Sequence, residues 1–83
     1  MSVERTIRTY ILQNFLFTDD DSALASGDSL IGKGIVDSTG ALEIVHFLEE
    51  QFGIKVHDSE MVPDNLDSVN KMTAFIARKQ TKN

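Results

Sequence analysis

Apolar residues recur along this chain at helical spacing in three places, and no stretch alternates convincingly with the period of two that marks a strand. The first helix is expected from Val3 to about Leu16, where Val3, Ile7, Tyr10, Ile11 and Asn14 share a face and Phe15 and Phe17 extend the apolar surface. Ser2 can cap it and Glu4 suits its first turn. The second helix is the most regular. Ala41, Ile44, Val45, Leu48 and Phe52 fall on one stripe, flanked by Leu42 and Phe47. Thr39, Glu43, His46 and Glu50 fall on the opposite stripe. Asp37 and Ser38 are both candidates for its N-cap, and Gly53 is the expected stop. The last helix is expected from Ser68 to about Lys79, capped by Asp67 or Asn65, with Val69, Met72, Thr73 and Ile76 inward. Arg78, Lys79 and Lys82 then lie near its C-terminus, where positive charge is favoured, and the Thr81–Asn83 end is expected to fray.

Between these helices the pattern is broken. Residues 18–36 form a long connection in which Leu30 and Ile35 are the expected pins to the core. Ile54 to Val56 is a short apolar connector, and residues 58–62 can form a single helical turn stopped by Pro63. The expected fold is all-α: a small four-helix bundle of three main helices plus one short helix.

Composition narrows the class. Eighty-three residues make one domain with a modest core. With no cysteine, neither disulfides nor thiolate metal sites can hold it together. No signal peptide and no bilayer-length apolar run is present, so the expectation is a cytoplasmic monomer with no membrane partner. Thirteen acids oppose eight bases, a formal charge of −5. From Asp37 to Asp67 there are eight acids and one base, Lys55. Such a field repels nucleic acid and attracts proteins with basic docking patches.

The chemistry centres on one hydroxyl. Ser38 stands at the mouth of the acidic helix, behind Gly34-Ile35-Val36-Asp37 and at the positive end of the helix dipole, where an attached phosphate would be favoured. Asp-Ser alone is a weak signal, since it also occurs at Ser22, Ser29, Ser59 and Ser68. Ile31-Gly32-Lys33-Gly34 after Ser29 cannot begin a stable helix, and no acidic face follows Ser68; these two read as loop and capping residues. A nucleophilic serine needs a base within reach, and His46 lies two turns further along the same helix. No catalytic residue is therefore expected, and the chain is not read as an enzyme. The run Asp19-Asp20-Asp21 lacks calcium-loop spacing, so no metal site is expected. Met61 and Met72 read as core filling. A helical interaction module without cofactor would explain the helices and the acidic face, but not a modifiable serine placed here.

Gly34-Ile35-Val36-Asp37-Ser38, followed by Leu42, Glu43, Val45, Leu48, Glu49, Glu50 and Phe52, resembles the acyl carrier protein family, and the resemblance covers nearly the whole chain. It implies a single carrier domain over 1–83. It implies that Ser38 is esterified by a 4′-phosphopantetheine arm drawn from coenzyme A, whose thiol carries acyl groups as thioesters. Asp37 would be read by the phosphopantetheinyl transferase. Thr39, Glu43, His46, Glu49 and Glu50 would face that transferase, an acyl- or aminoacyl-activating ligase, and acyltransferases or synthases. Carriage of acyl intermediates in fatty acid, lipid or secondary-metabolite synthesis is the first expectation. Three positions depart from the common pattern: Thr39 after the serine, then Gly40, and His46 in place of a frequent methionine. Asp37-Ser38-Thr39-Gly40 and the late Leu66–Met72 stretch are similar to small free-standing carriers such as the D-alanyl carriers of teichoic acid assembly. In those an adenylating ligase loads the arm directly, so an aminoacyl carrier is the alternative.

Overall fold

The computed structural model describes residues 2–80. Among them there is no strand, and the elements form a helical bundle. Helix α1 runs Val3–Ile11, α2 Ser38–Phe52, α3 Pro63–Leu66 and α4 Val69–Gln80. The all-α architecture of three main helices and a short one is as the periodicity predicts. Among the described residues no helix is long and apolar enough to cross a membrane. Lys82 and the Thr81–Asn83 end lie outside the described residues.

Helix α1 starts as expected, with the Ser2 hydroxyl accepting from the Arg5 amide at 3.0 Å. It does not continue to Leu16 as regular α-helix. Leu12–Leu16 widen into a π-turn that closes on Phe17, a non-glycine residue at φ 54°. The wider turn buries Leu12, absent from the regular helical face, and leaves Phe17 exposed. Asn14 is exposed as well, its amide donating to the Tyr10 carbonyl. Tyr10 stacks on Phe47 with ring centroids 3.9 Å apart, its hydroxyl directed at the Glu43 carbonyl. With Phe15 against Gly40, these contacts make α1 antiparallel to α2.

The main core joins Ile7, Ile11 and Leu12 of the first helix to Ile44 and Leu48 of α2 and Val69, Met72 and Ile76 of α4. The long connection adds Leu24, Leu30 and Val36, with Ile35 packed beside them. Leu30 and Ile35 are thus pins, as expected, and two further apolar residues share the task. A second small cluster, Val45, Val56 and Phe75, closes the bundle behind Met61 and Leu66. The aspartate run is structural. Asp20 accepts from the amide and hydroxyl of Ser22, and Asp21 pairs with Arg5 at 2.7 Å.

Two boundaries differ from expectation. Pro63 does not end a helical turn over 58–62. A 3₁₀ turn spans Asp58–Glu60, and Pro63 opens α3 at its first position, where a missing N–H costs nothing. Neither Asp67 nor Asn65 caps α4. Ser68 does so, its hydroxyl accepting from the Lys71 amide at 3.0 Å. Asn65 instead donates to the Glu60 carbonyl and accepts from Arg78, and Asp67 turns towards the long connection.

Candidate functional site

The start of α2 settles which residue caps and which is presented. The Asp37 carboxylate accepts from the Gly40 amide at 2.8 Å, and its carbonyl accepts from Ala41 at 2.9 Å. Asp37 is the N-cap and Ser38 is the first helical residue. The amides of Ser38 and Thr39 have no partner within the helix, as at any helix start, and they lie at the positive end of the helix dipole. Ser38 is exposed, and none of the described residues holds its hydroxyl. At the other end Gly53 adopts φ 66° and donates back to the Glu49 carbonyl, the left-handed stop that glycine tolerates best.

The structure separates the five Asp-Ser pairs. The Ser29 hydroxyl donates to Asp67 at 2.6 Å, Ser68 is buried and caps α4, and Ser22 is bound to its own Asp20. Ser59 is exposed but sits in a 3₁₀ turn with no helix behind it. Only Ser38 joins an exposed hydroxyl to the N-terminus of a long helix.

Ser38 opens onto a groove of about 540 Å³ lined by Ile31, Gly34, Val36, Ala41 and Met61. Met61 therefore packs on the second cluster and also forms a wall of this groove, whereas Met72 is wholly core. On the other flank Phe15, Ile35, Thr39, Gly40 and Glu43 line a smaller hollow. Gly40, an odd choice on helix propensity, is explained here. A Cβ at Gly40 would stand 2.9 Å from the Phe15 ring and 3.3 Å from Val36. The wide turn at the end of α1 brings Phe15 onto α2, and only glycine gives it room.

The expected partner face divides. Thr39, Glu43, His46 and Glu50 are exposed on α2 as the periodicity requires. Glu49 is half-buried and accepts from the Val56 amide at 2.9 Å, so one of its oxygens secures the 54–56 connector rather than facing outward. Leu42, expected to widen the apolar stripe inward, is 55% exposed one turn beyond Ser38. Ile31, in the groove wall, is also exposed. These exposed apolar residues are not legible in the sequence, because single exposed leucines and isoleucines carry no periodic signal. Among the described residues no group of three or more potential ligands could hold a metal ion.

No family model matches the chain. Curated relatives do. D-alanyl carrier proteins of Streptococcus pyogenes serotype M5 (strain Manfredo), serotype M49 (strain NZ131) and serotype M1 are each 35% identical over 80 residues, covering 96% of this chain and 98% of the relative. Identity of that order over nearly the full length of both chains, on an all-α bundle, shows common descent. Proteins of this kind are acted upon rather than catalytic. The chain belongs to the carrier-protein family that includes the D-alanyl carriers and resembles acyl carrier proteins.

Proposed function

We propose that this protein is an aminoacyl carrier: Ser38 takes a 4′-phosphopantetheine arm from coenzyme A, and an adenylating ligase loads the arm with D-alanine. The observation that carries the reading is the exposed, unengaged Ser38 hydroxyl at the first position of α2, in a chain 35% identical to D-alanyl carriers. The residues fit such an arm. A phosphodiester on Ser38 Oγ would meet the free Ser38 and Thr39 amides. The uncharged part of the arm could lie along Val36, Ala41 and Met61 in the adjoining groove. The arm supplies a thiol, on which cargo is held as a thioester. Asp37 fixes the helix start and so the direction in which the hydroxyl is offered.

The relatives' names favour aminoacyl over fatty-acyl cargo. The departures at the exposed Thr39 and His46 point the same way, because they remove apolar contacts that fatty-acid synthase partners commonly use, whereas Gly40 is buried and answers to Phe15. The implied partners are a phosphopantetheinyl transferase, a D-alanine-activating ligase and an acceptor transferase, in the cytoplasm.

Incubation with coenzyme A, magnesium and a broad-specificity transferase, followed by intact and tryptic mass spectrometry, tests the site. One arm on Ser38 is expected. An arm on Ser29, or none with several transferases, would reject it. Ser38→Ala should abolish modification. Because Ser38 is exposed and does not cap, the change should alter stability by less than about 0.5 kcal/mol. Supplying the holo form with ATP, an adenylating ligase and either D-alanine or a fatty acid separates the two cargo classes.

A further inference from the structure

The groove beside Ser38 has two walls from distant parts of the chain. Ile31 comes from the long connection, and Met61 from the segment leading into α3. One residue bonds to the first wall and caps the short helix that follows the second. The Asp67 carboxylate accepts from the Ser29 hydroxyl at 2.6 Å and from the Ile31 amide at 2.9 Å, while its carbonyl accepts from the Leu30 amide at 2.7 Å. Its own amide donates to the Pro63 carbonyl at 2.9 Å, closing α3 with Asp67 as its C-cap. The connection continues towards the serine. The carbonyl of buried Leu30 accepts from Ile35 at 2.9 Å and Val36 at 3.2 Å, and Asp37 and Ser38 follow. Ser29 is also held from the other side, by the Gly32 amide at 2.9 Å. A Cβ on Gly32 would lie 2.8 Å from the Ser29 hydroxyl, so the turn is closed tightly around this contact.

We propose that Asp67 is a positioning residue for the modification of Ser38: it locks the 29–36 turn to the C-terminal end of the short helix α3, which follows directly on Met61, and so fixes the surface that the transferase reads around the hydroxyl. Asp67 is not bonded to Ser38 and does not line the groove. It acts through Ile31 and the Leu30 carbonyl. The carboxylate form suits the task, since both of its oxygens accept and neither contact could be made by an apolar residue. The inference rests on Ser38 being the modified hydroxyl.

The test is steady-state phosphopantetheinylation of the full chain, with the carrier as varied substrate. Asp67→Ala is expected to raise KM for the carrier by about tenfold while kcat stays within about twofold, because the hydroxyl is intact and its presentation is not. Asp67→Asn keeps an oxygen for the Ile31 amide and an amide group for Ser29, and should recover most of the loss. Arg8→Ala is the control. Arg8 holds Leu24 and Ser26 of the same connection to α1, away from Asp67. If Asp67→Ala does not fold, Ser29→Ala, which removes one of the three bonds, is measured in the same way and should shift KM in the same direction. An unchanged KM in the folded variant, or an equal rise in Arg8→Ala, overturns the role of Asp67 while leaving Ser38 as the site. A wild-type chain that takes no arm overturns the reading of Ser38 itself.

Discussion

Gly40 and Ser38 are two residues apart and do opposite things. On the proposed reading Ser38 needs space for an attached arm; Gly40 is space already used by a neighbour. Alanine at position 40 would gain helix propensity, up to about 1 kcal/mol. It would also force its Cβ to 2.9 Å from the Phe15 ring, overpacking of a kind that costs about 1–3 kcal/mol. Net destabilisation of about 1 kcal/mol is therefore expected for Gly40→Ala in urea unfolding. In a Phe15→Ala background the worst clash is gone and only the 3.3 Å approach to Val36 remains, so the same substitution should become close to neutral or stabilising. Additive effects in this double-mutant cycle would show that the contact does not set the choice of glycine. The same logic reads Phe17. It is an exposed aromatic in a left-handed conformation, tolerated because its N–H closes the wide turn on the Leu12 carbonyl.

At the scale of elements, legibility followed the range of the forces involved. The limits of α2 were readable because cap, stripe and glycine stop are local and agree. Asp37 against Ser38 was undecided, since either side chain can cap and only geometry chooses. The π-turn at Leu12–Leu16 was not readable: it exists to seat Leu12 in the core and Phe15 on Gly40, contacts whose partners lie far along the sequence. The role of Asp67 was hidden for the same reason, because Ser29 is 38 residues away. These long-range carboxylate contacts give an acid-sensitivity. For Asp67, burial pushes the carboxyl up, but the bonds from Ser29 and Ile31 outweigh it and leave it below the ordinary range. Glu4 is lowered by the Ser26 hydroxyl and then by Arg8, and Glu60 by the His57 amide and then by Lys79. A carboxylate whose folded pKa is depressed stabilises the fold above its unfolded value, and that contribution disappears as pH falls through the folded value. Stability from these groups should hold down to about pH 4.5 and decline below it. Urea midpoints measured from pH 7 to 2.5 check this, and Asp67→Asn should flatten the fall. A decline of equal steepness in that variant would remove Asp67 from the set.

For the whole molecule, the proposed function raises the question of how partners would meet a small acidic protein at its Ser38 end. Glu43, His46 and Glu50 are exposed along α2, while Glu49 is partly spent on the Val56 amide. Exposed apolar residues lie near Ser38 as well: Ile31 lines the groove and Leu42 stands one turn along α2. On the proposed reading, acids and apolar residues would divide the work by range. Exposed ion pairs contribute about 0–1 kcal/mol each, so Glu43 and Glu50 would act mainly on encounter rate and orientation. The apolar residues would act only at contact, where each buried square ångström counts. Reversing charge with Glu43→Lys and Glu50→Lys together should slow modification of Ser38 at low salt. The difference from wild type should shrink as salt rises, because screening shortens the field to about 8–10 Å at ordinary ionic strength. Glu4 is unsuitable as a comparison, since its carboxylate is tied to Arg8 and Ser26. Asp19 and Asp64 are exposed and lie off α2, so the matched double reversal there keeps the same net charge. Leu42→Ala should behave differently from both, weakening recognition by an amount that salt does not change. Stopped-flow or quenched kinetics across a salt series separates the three variants. Equal slowing by the Asp19/Asp64 pair would reduce α2 to a solvated face, and a salt-dependent Leu42 effect would assign that residue to folding of the helix rather than to contact.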